Sequence, residues 1–199
     1  YKKEIKKMGA IHVFNHISID GFFAGPNGEI EWFYAVPYDD EWHKYTHSQA
    51  GTSSTLIFGR STYEMMKSFW PAEEAIKRDP GMAEAVNQSP KIVFSKTLNS
   101  VEEEPNWKNI RLLPEINPEE IQKLKKNEDI TILGSGSIIQ QLANLDLIDE
   151  YFLVIVPLIL GTGKSLFENV NKTNLKLINA NSFKNGIVLT HYKANGKEK

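Results

Sequence analysis

The sequence contains no cysteine among its 199 residues, and this absence excludes several kinds of chemistry. Without thiols, the chain has no disulfide bonds, thiolate metal sites or cysteine nucleophiles. Long apolar runs are also lacking: the longest, residues 152–160, contains a proline and is about half the length that a membrane-spanning helix needs. A surplus of basic charge is missing as well, because the formal net charge is −2 and no stripe of Lys and Arg alternates with aromatic residues. We therefore expect neither a membrane nor a nucleic acid as a partner.

The composition fits one folded domain. With 41% hydrophobic and 24% charged residues, the chain can bury one sizeable core. The basic segment before Met8 is not followed by an apolar signal segment, so we expect a soluble, cytoplasmic protein. Met8 opens a stretch that looks like a natural start. We therefore predict that residues 1–7 are an extension or a tag remnant and that residues 8–199 form a single domain.

Strands and helices alternate along most of the chain. Apolar runs predict strands at residues 11–20, 55–59, 91–95, 110–113, 129–133 and 150–160. Helices are predicted at residues 39–49, 60–70, up to residue 88 with an interruption at 79–81, from Pro118, and at 137–145. Two further runs, 175–183 and 187–193, are joined by Lys184-Asn185-Gly186, which is a hairpin signature. The pattern predicts an α/β fold with a mostly parallel sheet and an antiparallel C-terminal hairpin.

A glycine-rich turn stands between a strand and a helix in residues 129–142, DITILGSGSIIQQL. Where a parallel strand ends in glycines and a helix begins, free N–H groups and the positive helix end converge, and anions bind there. The dinucleotide fingerprint is incomplete, because its sixth position is Ile139. A tight turn with a serine cap is the alternative interpretation.

A second junction of the same kind occurs in LIFGRSTYE, residues 56–64. It combines Gly59 at the turn with the fork-shaped donor Arg60 and with Ser61 or Thr62 as a helix cap. A third strand ends at Ser95-Lys96, which adds a hydroxyl and a cation to the same edge of the sheet. Together these junctions suggest two phosphate sites, although a surface salt bridge for Arg60 and a solvated turn for Lys96 are the alternatives.

Two other patterns are weaker. Gly163-Lys164-Ser165 resembles part of a phosphate-binding loop, but Leu158 stands where that motif needs glycine. Lys164 is therefore a candidate contact for an anionic substrate or an ordinary loop residue. His43 and His47 have a spacing that allows a shared metal ion, but the sequence offers no acidic third ligand at a clear spacing, so we predict no metal site.

Four motifs together resemble one superfamily. FGRSTYE (58–64) is similar to the Gly-Arg-x-Thr-aromatic-Glu segment of dihydrofolate reductases, and ITILGSGSIIQQL (130–142) is similar to their pyrophosphate turn. SIDGFFAGPNGEIEW (18–32) resembles the opening of the reductase domain of bacterial riboflavin biosynthesis, the RibD C-terminal domain, and of its stand-alone relatives. PLILGTGKSLF (157–167) is similar to a late motif of that family. The motifs occur in the expected order, so the resemblance covers nearly the whole chain.

The resemblance implies a dihydrofolate reductase-like three-layer α/β/α fold that binds NADPH. The implied cofactor contacts are Phe23, Ala24, Gly25, Gly59, Arg60, Ser61, Thr62, Ser95, Lys96, Leu133, Gly134, Ser135, Gly136, Ser137 and Ile138. In this scheme the turn at 134–138 binds the pyrophosphate, Arg60 and Ser95 lie near the adenosine 2′-phosphate, and residues 20–25 lie near the nicotinamide. Residues 26–32 resemble the mobile loop that closes over the site, and Trp32 and Lys164 are the implied substrate contacts.

The sequence also departs from the best-known members of the superfamily. Folate enzymes place a carboxylate a few residues beyond a tryptophan, but here Phe33-Tyr34-Ala35-Val36-Pro37 intervenes between Trp32 and the pair Asp39-Asp40, and the spacing does not match. A chain without cysteine also cannot contain the zinc deaminase site that usually accompanies the riboflavin-pathway reductase. We therefore predict a stand-alone relative rather than either of these enzymes.

The predicted function is that of an NADPH-dependent reductase acting on a small heterocyclic or sugar-derived substrate, with Asp20 or water as the proton source. The alternative is a non-catalytic nucleotide-binding module that retains the NADPH groove. We also predict a homodimer, because EYFLVIVPLIL (150–160) offers more apolar strand than one sheet position requires and relatives of the family commonly pair.

Overall fold

The computed structural model describes residues 8–37, 39–50 and 54–195, in which it places an eight-stranded sheet, a two-stranded sheet and six α-helices. The strands are β1 (Ile11–Ser18), β2 (Phe22–Ala24), β3 (Ser54–Gly59), β4 (Lys91–Phe94), β5 (Ile110–Leu113), β6 (Asp129–Ile132), β7 (Glu150–Val156), β8 (Lys164–Ser165), β9 (Leu175–Ser182) and β10 (Val188–Ala194). The helices are α1 (Asp40–Ala50), α2 (Arg60–Phe69), α3 (Glu73–Arg78), α4 (Pro80–Gln88), α5 (Pro118–Lys125) and α6 (Gly136–Asn144). A 3₁₀ helix, Glu31–Tyr34, precedes α1. The predicted extension at residues 1–7 lies outside the described residues. Within the described ranges, no helix has the length and apolarity to cross a bilayer.

The large sheet has the strand order β5-β4-β3-β6-β1-β7-β10-β9. Neighbouring strands from β5 through β7 are parallel, whereas β10 and β9 are antiparallel. This order confirms the predicted fold class. Because β6 lies between β3 and β1, the loops that follow these three strands meet at one carboxyl edge of the sheet, where open α/β sheets bind their ligands.

Helices cover both faces of the sheet and enclose the core. On one face, side chains of α5 and α6 such as Ile121, Ile139 and Leu142 pack against β1 and β6. On the other face, α2 and α4 cover β3 and β4, while Trp42 and Tyr45 of α1 cover β7 and β10. Every residue of β3 and β4 is buried, as expected for strands that lie inside a parallel sheet with helices on both sides.

Two strand ends differ from the predictions by more than one residue. β7 ends at Val156 rather than at residue 160, because Pro157 has no N–H to continue the ladder. β1 ends at Ser18, after which Gly21 donates to the Ser18 carbonyl at 2.9 Å and turns the chain with φ of +84°. The small sheet of β2 and β8 is not predicted from the sequence, since strands of three and two residues show no periodicity.

Helix α1 begins one residue after its predicted start, because Asp39 lies before the helix and caps it. Asp39 precedes the helix, and its Oδ1 accepts hydrogen bonds from the N–H groups of Glu41 at 2.8 Å and Trp42 at 3.1 Å. Its Oδ2 accepts from the N–H of Asn185 at 3.0 Å, which ties α1 to the β9–β10 turn. These hydrogen bonds, that of Trp42 foremost, lower the pKa of the Asp39 carboxyl. Asp39 is thus committed to capping the helix.

Candidate active site

The two predicted glycine turns interlock at the ends of β3 and β6. Gly59 N–H donates to the Gly134 carbonyl at 3.1 Å. A Cβ on Gly59 would overlap Ser135 Oγ, and a Cβ on Gly134 would lie 2.9 Å from Thr62 Oγ1. Gly134 also has φ of +129°, a conformation that L side chains rarely adopt. The close approach of the two turns therefore requires glycine on both strands.

The first N–H groups of α6 are left without protein partners. The helix begins at Gly136, and its N-cap Ser135 makes no capping hydrogen bond with its side chain. The Ser135 hydroxyl lies instead 3.1 Å from the Ser137 hydroxyl. Among the described residues, no acceptor contacts the N–H groups of Gly136 and Ser137. The alternative interpretation of this segment, a turn closed by a serine cap, is therefore wrong, and the positive end of α6 can accept an anion.

The start of α2 also differs from the prediction in a way that leaves donors available. The helix begins at Arg60 as predicted, but its N-cap is Gly59 rather than the predicted Ser61 or Thr62. No side chain caps it, so the prediction is wrong. Glu64 accepts a hydrogen bond from Arg60 Nε at 2.8 Å. The N–H groups of the first turn thus have no side-chain acceptor.

Arg60 and the end of β4 form one polar cluster. Arg60 Nη1 donates to Thr97 Oγ1 at 2.9 Å, and Thr97 Oγ1 lies 3.4 Å from Ser95 Oγ. Ser95 Oγ accepts hydrogen bonds from the N–H groups of Thr97 at 3.2 Å and Leu98 at 3.0 Å. Lys96 is exposed beside them. Sequence reasoning missed Thr97. The only local signal was its hydroxyl two residues after the strand-end Ser95, a spacing that allows such a turn.

Arg60 forms a surface ion pair, which was the alternative interpretation of this residue, but its side chain remains accessible to a ligand. Its side chain is 48% exposed and it pairs with Glu64 four residues later in α2. An exposed pair of this kind is worth only about 0.3–0.5 kcal/mol. A phosphate could therefore compete for the guanidinium at little cost.

Phe23 of β2 contacts the glycine turn at the start of α6. A Cβ on Gly136 would lie 2.5 Å from Phe23 Cε1 and 2.6 Å from Cζ, so the ring lies directly over the first residue of α6. Ala24 is buried in β2, and Gly25 N–H donates to the Glu29 carbonyl at 2.8 Å. The predicted turn at Pro26-Asn27-Gly28 is present, with Gly28 N–H donating back to Gly25 at 3.0 Å. The structure thus brings Phe23 against the glycine turn that follows β6.

Asp20 holds two loops together. Its carboxylate accepts hydrogen bonds from Ser18 Oγ at 2.6 Å and from the N–H groups of Gly161 at 2.8 Å and Leu160 at 3.2 Å. These bonds, that of Ser18 foremost, lower the pKa of the Asp20 carboxyl. A carboxyl that is ionised and already accepts three hydrogen bonds is a poor proton donor near pH 7. The geometry therefore favours a positioning role for Asp20 over the predicted proton transfer.

Both predicted substrate contacts lie beside Glu29. Trp32 Nε1 donates to the Glu29 carbonyl at 3.2 Å. Lys164 is exposed at the start of β8, which pairs with β2 across Ala24, and its charge helps to lower the pKa of Glu29 after the larger effect of the Asn27 side chain. Trp32 and Lys164 are thus parts of one polar and aromatic region around the 25–32 turn.

His16 is a candidate site residue that sequence reasoning missed. It lies near the carboxyl end of β1, and its ring stacks on Phe33 of the 3₁₀ helix with centroids 4.6 Å apart. Burial lowers the pKa of His16 to about 4, so the ring is neutral near pH 7. A neutral imidazole can donate and accept one hydrogen bond each. In the sequence His16 is only one position of a strand, and nothing marks its contact with the 3₁₀ helix.

The fold and the two glycine turns define the class of the protein, a dihydrofolate reductase-like α/β fold of the reductase type. The dihydrofolate reductase of Enterococcus faecalis, in complex with NADP(H), superposes with a TM-score of 0.57 at 15% identity, covering 94% of this chain and 98% of that one. A protein of Shewanella sp. PV-4 that is provisionally assigned to riboflavin biosynthesis superposes with a TM-score of 0.75 at 24% identity, covering 94% and 99%.

The chain belongs to the RibD C-terminal domain family, which it matches over residues 10–189. It is also similar to the uncharacterised protein YyaP of Bacillus subtilis (strain 168), with 33% identity over 183 residues, or 90% of this chain and 92% of that protein. These findings confirm the family that the four sequence motifs resemble.

Proposed function

We propose that this protein is an NADPH-dependent reductase. It transfers hydride to an electron-poor C=N or C=O group of a small heterocyclic or sugar-derived substrate, in the manner of 5-amino-6-(5-phosphoribosylamino)uracil reductase or dihydrofolate reductase. Membership of the RibD C-terminal domain family and the likeness to a dihydrofolate reductase in complex with NADP(H) support this proposal.

The observation that carries the proposal is the pair of uncapped helix starts at neighbouring strand ends. α2 and α6 both begin at glycine turns, and neither has a side-chain cap. β3 and β6 are adjacent parallel strands, so both helix starts face the same edge of the sheet. The N–H groups of an uncapped first helical turn have no intrahelical acceptor and are open to an anionic ligand. The phosphates of a dinucleotide supply acceptors of the right charge.

The preference for NADPH over NADH rests on the cluster of Arg60, Thr97 and Ser95. A guanidinium beside two hydroxyl groups provides several donors in one place, with Lys96 adding positive charge. Only NADPH carries a 2′-phosphate that can use these donors. The cluster would therefore discriminate between the two cofactors at the adenosine end.

The cofactor, when bound, supplies the hydride, and the chain supplies orientation, exclusion of water and a source of protons. Water is the proton source that fits the geometry, because Asp20 is ionised and its oxygens accept hydrogen bonds from the loop that follows β7. Asp20 fixes this loop relative to the end of β1. Neutral His16 and Trp32 would contact a ring-shaped substrate on the aromatic side of the site.

A second candidate function is a non-catalytic nucleotide-binding module. The observation that favours it is the state of Asp20, the predicted acid, which is held ionised by its hydrogen bonds. In that case the glycine turns and Arg60 would bind NADPH, and no substrate would be reduced.

Oxidation of NADPH across a panel of pterins, pyrimidine ribosides and quinonoid compounds distinguishes the two functions. Consumption of NADPH that depends on both protein and one compound supports the reductase. Tight NADPH binding with no turnover on any compound of the panel favours the module.

We also propose that the reductase is a cytoplasmic homodimer. The apolar strand that led to the dimer prediction is β7, and it lies inside the sheet between β1 and β10, so its apolar character is explained within one chain. Support comes instead from the edge strand β9, in which every residue is exposed, Leu177 at 52% and Ile178 at 48%. An exposed eight-residue edge strand that carries such apolar side chains can pair with a second copy.

Light scattering at micromolar concentration tests the dimer. We expect about twice the chain mass of 22.6 kDa, and Ile178→Lys should halve the measured mass. Leu145→Lys is the matched control, because Leu145 is similarly exposed, at 44%, but lies at the end of α6. A monomer for the unaltered protein would contradict the proposal.

A further inference from the structure

Two histidines of α1 and an aspartate from a different element come together outside the candidate active site. His43, His47 and Asp79 each present one potential ligand atom, and these atoms all lie within 4.8 Å of one another. The sequence did not predict this cluster, because Asp79 lies between α3 and α4 and has no fixed spacing from the two histidines. The absence of an acidic third ligand was the reason for predicting no metal site.

The three side chains are held in place by regular structure. His43 and His47 are one helical turn apart on α1, with ring centroids 4.2 Å apart. Asp79 is the N-cap of α4, and its Oδ1 accepts a hydrogen bond from Met82 N–H at 3.0 Å. Its other oxygen, Oδ2, is turned toward the histidines, at 2.9 Å from His47 Nε2 and 3.9 Å from His43 Nε2. The capping role therefore fixes the carboxylate while leaving one oxygen for another partner.

His47 Nε2 has no hydrogen bond, even though it lies beside a carboxylate. His47 Nε2 is inaccessible to water and makes no hydrogen bond of acceptable geometry, although Asp79 Oδ2 is 2.9 Å away. A polar atom that water cannot reach and that lacks a hydrogen bond is costly. An ion placed between the imidazoles and the carboxylate would satisfy this nitrogen and Oδ2 together.

We propose that His43, His47 and Asp79 bind a divalent transition-metal ion of the Zn²⁺ type. Two imidazoles and one carboxylate are the ligands of such ions, whereas Mg²⁺ and Ca²⁺ prefer oxygen ligands alone. The half-exposed position of the histidines, whose side chains are 42% and 36% exposed, leaves room for water at the remaining coordination positions. The site is separate from the glycine turns and from the cluster of Arg60 and Thr97.

The ion would clip α1 to α4. The opposite side of α1 carries Trp42 and Tyr45, which pack against the sheet, and its N-terminus is capped by Asp39. Fixing α1 at His43 and His47 would therefore stabilise the packing of this helix against β7 and β10. The role is structural: we expect the ion to raise the thermal stability of the protein without taking part in hydride transfer.

The test is a titration of the full chain, first stripped with a chelator, with Co²⁺ followed by its visible absorption, and then displacement by Zn²⁺. We expect one Co²⁺ per chain and a rise in melting temperature with Zn²⁺. Loss of a supporting residue around a metal commonly weakens binding by about 10–100-fold, so removal of a ligand in His47→Gln or Asp79→Asn should weaken it by at least about 100-fold. Asp79→Asn keeps an oxygen for capping α4, so it separates loss of the ligand from loss of the fold.

His191→Gln is the matched control. His191 Nε2 also lies 2.9 Å from a carboxylate, that of Glu150, but the three-residue cluster does not include it. This variant should bind Co²⁺ as the unaltered protein does. Absence of saturable binding at one ion per chain, or equal binding by His47→Gln and the unaltered protein, would overturn the proposal. Loss of binding in His191→Gln with retention in His47→Gln would overturn it as well.

Discussion

The two sides of the candidate site are made of different groups. At the ends of β3 and β6, the groups available to a ligand are backbone N–H donors framed by Gly59, Gly134 and Gly136. Around the end of β1, they are side chains that already hold one another: Asp20 binds the loop at 160–161 and His16 stacks on Phe33. A binding site made of backbone groups fixes what a phosphate contacts, whereas one made of side chains can change with each substrate.

This difference suggests that the two sides bind different parts of the ligands. The glycine side would bind a part common to all nicotinamide dinucleotides, and its tolerance for substitution is low because neighbouring atoms already occupy the space of a Cβ. The aromatic side would set the substrate. Variants on the two sides should therefore fail in different ways.

Gly134→Val should have the largest effect and should act on both cofactors alike. Its φ of +129° and the contact with Thr62 Oγ1 force the turn to move, at a cost of about 1–3 kcal/mol in stability. The displaced N–H groups should then weaken NADPH and NADH by about 100-fold or more, equivalent to roughly 2.7 kcal/mol. Fluorescence titration with both cofactors measures the change.

Gly81→Ala is the control for that variant, because a Cβ at Gly81 meets nothing closer than His47 Nδ1 at 3.8 Å. It should leave both affinities unchanged. If Gly134→Val folded normally and bound both cofactors as before, the turn would have no part in binding.

On the aromatic side, His16 should make the protein sensitive to acid. Its pKa is lowered from 6.5 to about 4 in the folded state, so between these values the unfolded chain binds a proton that the folded chain does not. Stability should therefore fall as the pH drops from 6.5 to 4, by on the order of 2–3 kcal/mol from this residue. Urea unfolding of the unaltered protein and of His16→Gln at several pH values measures this loss. If the free energy of unfolding depended on pH in the same way in both proteins, the lowered pKa of His16 would be contradicted.

The two sides meet where Phe23 covers Gly136, and Gly136→Val tests that contact. A Cβ there overlaps the ring of Phe23, so the variant should lose about 1–3 kcal/mol of stability through overpacking. Phe23→Ala in the same chain should recover part of the loss. Urea unfolding of the single and double variants gives the coupling, and simple additivity of the two changes would mean that the ring and Gly136 are not in contact.

Asp20→Asn should have the smallest effect on cofactor binding. The amide can accept through one oxygen only, so one of the N–H groups of residues 160–161 loses its partner and the loop loosens. We expect a raised KM for the substrate, a smaller change in kcat and unchanged NADPH affinity. A large loss of kcat that depends on pH would instead restore Asp20 as the proton donor.

Acid stability should also depend on Asp20. Because its folded pKa is lowered, the stabilisation is present above the unfolded value near 3.8 and is lost as the pH falls below it. Asp20→Asn should therefore lack this part of the acid transition. The pH range separates it from His16, whose loss of stability already begins below pH 6.5.

The sequence predicted the glycine side well, for a physical reason. Strand-to-helix junctions with glycine are local patterns, and the alternation of strands and helices places them at one edge of a parallel sheet. The Asn-Gly signature likewise predicted the β9–β10 hairpin. The cap of α2 was predicted wrongly, because Gly59 is the N-cap and Ser61 already lies inside the helix.

The side-chain sites could not be predicted in the same way, because their partners are distant in the chain. Asp20 meets Gly161, His16 meets Phe33, and Asp79 meets His43 and His47 only after the sheet and helices have assembled. No spacing in the sequence encodes these contacts. Family resemblance located Asp20 but gave it a role that its hydrogen bonds do not favour.

Central to the proposed function is the binding of NADPH by the strand-end groups, with Arg60 at the 2′-phosphate. Paired titrations of NADPH and NADH on the unaltered protein and on Arg60→Ala test it most directly. We expect tighter binding of NADPH than of NADH, and Arg60→Ala should lose about 1.5–3 kcal/mol, or roughly ten- to a hundredfold in affinity, for NADPH alone. Glu64→Gln, which removes the competing ion-pair partner of Arg60, should bind NADPH at least as well as the unaltered protein. Equal affinities for the two cofactors, or equal weakening of both in Arg60→Ala, would contradict the claim.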